Sequence, residues 1–479
     1  MNRLHYTRPA QAPAIATPPP YRYKIRMHFF PRHPAIGLLL LLAALPLLAR
    51  ADDWPHWLGP RRDAVWRETG IVDQFPAGGP KIRWRTPVNP GFSGPVVASG
   101  RVFLTDRKLD PGAKVNADDP FDRSIVHGTE RVLCLDEANG RILWHHEYPA
   151  PYGVSYNSGP RASPVVQNGR LYTLGTEGHL FCFDSQRGSV IWSRSFKKDF
   201  GAKTPLWGFA AHPLLDGDRL ICLVGGKGSV VVAFHKDTGK ELWRALSARD
   251  PGYCPPVIIE AAGRRQLIIW HPEALAALDP ETGRTLWSVP QSIRQNVSIT
   301  MPRQLDDLLY VTSFYNGSLM LRLDSAKPDA TVLWRTKKVS EKDTQHLNAL
   351  MTTPLLEGGH IYGVCNHGQL RCLDARTGER VWENLALVTR GELLECANAH
   401  LVKNGDRAFL AAENGDLIIA RLSPHGPKEI SRWPMLKPTL SYQGRDVTWA
   451  HPAFANGCIY ARNDQEIICA DLRKSASNR

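Results

Sequence analysis

Several kinds of signal are missing from this sequence, and each absence removes a class of protein. Nine cysteines are spread over 479 residues, with no adjacent pair, no C-x-x-C and no C-x-x-C-H, which excludes a zinc knuckle and a covalently attached haem. No extended run of Lys/Arg marks a nucleic-acid surface. Acidic residues are absent from positions 1–51, which hold seven of the 59 basic residues. Without that segment, 52 basic face 46 acidic residues, a net of +6 over 428 residues against +13 for the whole chain. The basicity is therefore largely terminal, and nucleic acid is not an expected partner.

Long hydrophobic runs are scarce too. Ile36 to Ala49, IGLLLLLAALPLLA, covers fourteen residues and would span ~21 Å as a helix, short of the ~30 Å hydrocarbon core. Basic residues precede it and Ala49-Arg50-Ala51 follows, as in a secretory signal cut after Ala51. Residues 1–51 are thus expected to be a signal peptide, with Met27 as an alternative start, and the cleaved chain to carry no transmembrane segment. A secreted or periplasmic location follows. No cysteine follows the apolar run, which argues against a lipid anchor. In an oxidising compartment, an odd number of cysteines fits buried small hydrophobes better than a disulfide framework.

A repeat organises everything after residue 80. RVLCLDEANGRILW ends at Trp144, HLFCFDSQRGSVIW at Trp192, VVVAFHKDTGKELW at Trp243 and ALAALDPETGRTLW at Trp287; comparable segments end at Trp334, Trp382 and Trp433. The intervals are 48, 51, 44, 47, 48 and 51 residues. Each unit reads as an alternating strand, an Asp-led turn closed by glycine, and a second strand carrying tryptophan. Another strand pair precedes each hairpin, as in ASPVVQNGRLYTLG and TTPLLEGGHIYGVC. The last unit lacks a Trp strand, and PKIRW with Trp84 supplies one. Pairing these two ends closes a circle and removes free sheet edges. The expected fold is all-β, an eight-bladed β-propeller over 81–472, with 52–80 as a strap and 473–479 as a tail. Eight tryptophans at equivalent positions are expected to hold the blades together.

The [A/C]-h-D-x-x-T-G-x-x-h-W unit resembles the tryptophan-docking repeat of the pyrroloquinoline-quinone (PQQ) propeller superfamily. DWPHWLGPRRDAVWRETGIVDQFPAGGPKIRW, GPRASPVV, DFGAKTPLWGFAAHPLL and VGGKGSVVVAFHKDTGKELW are similar to segments of secreted PQQ-like propeller proteins. The resemblance implies one of two roles. The first is a cofactor-free binding or scaffold module, with an exported or envelope protein or a small ligand in the axial funnel as partner. The alternative is a PQQ- and Ca²⁺-dependent alcohol or sugar dehydrogenase. The first is preferred, with no cofactor expected and a monomer as the expected state. The vicinal disulfide of methanol-dehydrogenase-type relatives is missing, and at about 49 residues per blade little length remains to build a pocket.

Candidate ligand contacts lie at the starts of innermost strands and in the loops before them. His212, His400 and His451 share one repeat position, where imidazole would serve either as a metal or acid-base group or as a partner for backbone between blades. Arg161 in GPRASP has a fork suited to a carboxylate. Trp207 and Gly208 lie in a loop that would cap the funnel. Asn348, Glu395 and Asn398 offer oxygen to Ca²⁺. No catalytic residue is assigned and no metal is expected.

Overall fold

The structure, a computed structural model, describes residues 52–116, 119–337 and 344–475. The expected signal segment lies outside them. Eight four-stranded antiparallel sheets follow in chain order. The first blade comprises Val96–Ala98, Arg101–Leu109, Gly128–Asp136 and Ile142–Pro149, innermost to outermost. Blades two to seven span 165–195, 214–245, 257–290, 303–335, 355–384 and 399–434. The eighth takes three strands from the C-terminal end and its outermost strand, Ile82–Pro87, from the N-terminal side. That strand pairs with Glu466–Asp471, setting Trp84 opposite Cys469. No helix of the described residues is long and apolar enough to cross a membrane.

The repeat motif builds each outer hairpin by local chemistry. At Asp279 the carboxylate accepts the Glu281 and Thr282 amides at 3.0 and 3.1 Å, and Gly283 takes the left-handed conformation, φ 72°, that closes the turn. The same glycine makes room for the Trp243 ring of the preceding blade, whose indole N–H donates to Pro280 O at 3.2 Å. Trp84, Trp144, Trp192, Trp334 and Trp382 likewise donate to a carbonyl in the following blade's turn, at 2.7–3.1 Å. Each docking ring therefore ties two blades with one hydrogen bond and its buried area. Trp84 does so to Glu137 O of the first blade, so this interaction also crosses the closing seam.

Two positions depart from the pattern. The fifth blade's turn, from Asp324 to Asp329, contains no glycine, and Trp287 donates to Gln266 Oε1 of its own blade at 2.7 Å. Trp433 faces the eighth blade, whose outer hairpin is interrupted between the two ends of the propeller. There Gly79 of the strap supplies the glycine surface and Phe75 packs 6.0 Å from the ring. All of Cys134, Cys182, Cys372 and Cys469 are buried, as small core residues.

Candidate functional site at the propeller axis

The strap, residues 52–80, occupies one end of the axis. Its path is fixed by bonds to the hairpins joining the two innermost strands: Ser99 N–H donates to Asp53 at 2.9 Å, Asn404 Nδ2 to Trp66 O and Glu68 O, both at 2.9 Å, and Gly457 N–H to Glu68 at 2.6 Å. Between these points it pairs with inner strands, Trp54 with Val97 antiparallel and Val65 with Lys403 parallel. Arg62 reaches Pro213 O and Pro256 O of the third and fourth blades, each at 3.2 Å. Arg303 of the fifth donates to Asp63 O at 2.9 Å. Trp54, Trp57 and Trp66 are buried. Burial lowers the Arg62 guanidinium to about 10.

The three histidines meet beneath this plug. His451 lies 5.7 Å from His212 and 5.8 Å from His400, centroid to centroid, and Trp57 stacks on His212 at 4.5 Å. Gly94, the equivalent position in the first blade, lets the His451 ring cross it, since a Cβ there would collide with the imidazole. His451 Nε2 thereby reaches Ser163 Oγ of the second blade at 2.8 Å. Ser163 N–H donates to His212 Nδ1 at 2.8 Å, leaving the proton of the neutral ring on Nε2. His400 Nε2 donates to Trp449 O at 3.1 Å. Burial lowers His212 to about 3 and His400 to about 4, and burial together with the neighbouring imidazoles holds His451 well below the usual range. Trp54, Trp57, His400 and His451 surround a gap of only about 10 Å³, room for one water at most. One nitrogen of each ring is thus engaged in joining blades, and among the described residues no group of three or more His, Cys, Asp or Glu is placed to hold a metal ion.

The opposite face of the propeller carries the loops that connect successive blades and the two middle strands of each blade. Arg161 lies here, its guanidinium 4.9 Å from the Phe92 ring. It donates to Gly159 O, Ser155 O and Tyr156 O at 3.1, 2.7 and 2.5 Å, and burial lowers it to about 10. Trp207 meets Tyr253 edge-on at 5.7 Å. Gly208 packs against Thr176, where a side chain would not fit.

The three oxygen donors expected for calcium sit in different surroundings. The Asn398 carboxamide donates to Cys396 O, and Glu395 stands exposed with Gln443 3.5 Å from its carboxylate. Asn348 donates to Phe314 O at 2.8 Å and retains one buried oxygen without a partner. One carboxylate and two amide oxygens fall short of the six to eight oxygen ligands that calcium takes, so these three residues alone do not make a calcium site.

Sequence reasoning missed the aromatic residues at this mouth. Trp449 packs 6.3 Å from Phe92, 5.8 Å from Tyr156 and 4.9 Å from Tyr442. Tyr442 is carried by a small added hairpin, Leu440–Tyr442 with Arg445–Val447. Glu413 fastens it by accepting Arg445 at 2.9 Å and Trp449 Nε1 at 3.0 Å. Phe121, exposed, extends the cluster 5.5 Å from Tyr156. The available signal was the aromatic pair flanking an insertion before the last blade, outside the repeat.

These features define a PQQ-type β-propeller with one axial mouth filled by its own strap. Residues 128–384 and 327–478 match the family described as outer membrane protein assembly factor BamB, and the chain belongs to that family. The BamB of Burkholderia pseudomallei is 26% identical over 230 residues, 46% of this chain and 54% of that protein. The quinoprotein ethanol dehydrogenase of Pseudomonas putida is 23% identical over 166 residues, 29% of this chain and 24% of that one. The chain thus spans about half the length of the BamB relative. Among solved structures, the quinohemoprotein alcohol dehydrogenase from Comamonas testosteroni superposes with a TM-score of 0.57 at 12% identity, covering 89% of this chain and 82% of that chain. Likeness at that identity shows the fold alone.

Proposed function

We propose that this chain is an exported, cofactor-free propeller that serves as a binding and scaffold module of the cell envelope, with the loop face as its working surface. The observation that carries this reading is the asymmetry of the two mouths. The strap fills one, whereas the other presents Phe92, Tyr156 and Trp449, all half-buried, around Arg161. Half-buried aromatics beside a guanidinium are the residue types enriched where proteins bind proteins. The signal-like segment supports export, and membership of a family named for outer membrane protein assembly supports an envelope partner. The axial histidines serve packing and blade-to-blade hydrogen bonds, and no general base is assigned to them.

Thermal unfolding of the exported form with and without PQQ plus Ca²⁺ tests this reading. A ligand at 100 times its dissociation constant stabilises a folded state by ~2.7 kcal/mol. The expected result is an unchanged midpoint. A calcium-dependent rise would replace this reading with a quinoprotein dehydrogenase.

A further inference from the structure

Two sequence segments that the axial site leaves unexplained, the Gly-Ala-Lys-Thr-Pro loop at 201–205 before the third blade and Gly-Gly-Lys-Gly at 225–228 within it, come together on the loop face. They line a cavity of about 770 Å³, within the range of small-molecule pockets. Four cations line it, Arg123, Lys203, Lys227 and Arg249, with two acids, Asp250 and Glu273.

None of the four cations is neutralised by a carboxylate among the described residues. Arg123 donates to Gly153 O at 3.0 Å, and Arg249 to Asn296 Oδ1 at 2.9 Å and Ile293 O at 3.2 Å. Lys203 and Lys227 are exposed. Four cations against two acids leave an excess of two basic groups along the lining. Burial raises the Asp250 carboxyl above its usual range, and Glu273 accepts the Arg249 amide at 3.1 Å.

The loop carrying Lys227 is built rather than slack. Gly225 N–H donates to Ser229 O at 3.0 Å, Ser229 Oγ to Gly225 O at 2.8 Å, and Gly228 N–H to Ser247 Oγ at 3.0 Å. Gly225 and Gly226 hold φ of 90° and 92°. A Cβ at Gly226 would meet Phe200 O at 2.9 Å, so backbone conformation and space both demand glycine. Unpaired like charges gathered in one concavity raise the local potential and lose stability unless an anion joins them.

We propose that this cavity is a binding site for a small hydrophilic polyanion, its carboxylate or phosphate groups held by Lys203, Lys227, Arg123 and Arg249. Calorimetric titration of the full chain at low salt, with citrate and separately with pyrophosphate, tests it and tells the two anion types apart. Binding of at least one probe with a dissociation constant below ~1 mM is expected. The double variant Lys203→Gln/Lys227→Gln should weaken it at least about tenfold. Lys240→Gln/Lys428→Gln, which removes the same charge from exposed positions elsewhere, should leave it within about twofold. Absence of binding for both probes, or equal weakening in the two double variants, would overturn the site.

Discussion

Trp57 stacks on His212 with ring planes 22° apart and centroids 4.5 Å apart, so the strap is anchored at the axis of the propeller. The contact couples a segment outside the repeat to the one ring of positions that all eight blades share. Truncating this buried ring removes its transfer energy and leaves a cavity. Trp57→Ala should lower unfolding stability by ~3–5 kcal/mol in urea titration, whereas removal of a surface aromatic such as Phe121 should cost less than about 0.5 kcal/mol.

The axial histidines give a pH dependence of definite sign. Their folded-state values, about 3 for His212, about 4 for His400 and well below the usual range for His451, lie under the unfolded value of 6.5. The unfolded chain therefore binds more protons at mildly acidic pH. Stability from these groups is complete above about 6.5 and falls with pH toward about 4, with a slope approaching ~1.4 kcal/mol per pH unit for each histidine. His451→Gln should flatten that slope in chemical unfolding between pH 6.5 and 4. An unchanged slope would show that other groups carry it.

At the seam, two glycines separate steric fit from backbone strain. Gly79 and Gly70 both hold positive φ, 78° and 75°, but a Cβ at Gly79 strikes the Trp433 indole and one at Gly70 meets nothing within 4 Å. Both Gly→Ala changes carry a left-handed penalty of ~1–2 kcal/mol. Gly79→Ala should cost a further ~1–3 kcal/mol for the collision, read as a lower urea midpoint.

Arg161 offers a test of fork geometry. Lysine keeps the charge but carries its three donors on one nitrogen, whereas Arg161 reaches Gly159 O from one nitrogen and Ser155 O and Tyr156 O from another, so buried acceptors would lose partners. Arg161→Lys should destabilise by ~1–3 kcal/mol and reduce partner binding through the loop face. If stability is unchanged, the guanidinium is not holding this mouth together.

The periodic part of the molecule was legible because one hairpin recurs with its Asp, Gly and Trp at fixed offsets, and blade count and closure strand follow from counting it. The shared position of the three histidines was legible for the same reason. Which way they pointed was not, since period-two alternation does not separate channel from inter-blade core, and the ring crossing depends on Gly94, an absence of side chain in another blade. The aromatic mouth was hidden for a different reason. Tyr156, Tyr442 and Trp449 lie in connections outside the repeat, and their meeting is set by blade order around the circle. Lys203 and Lys227 likewise converge only because the connection from the second blade lies beside the middle hairpin of the third.

The central claim, that the loop face is the working surface, is tested most directly by site-specific photo-crosslinking in the native cell. A photoreactive side chain would replace Phe121 or Leu393 on loop-face connections, and Val190 or Val381 on outer strands; all four are exposed. The account predicts adducts with a defined envelope protein from the loop-face positions and none from the outer strands. Adducts from the outer strands alone would place the working surface on the circumference and contradict it.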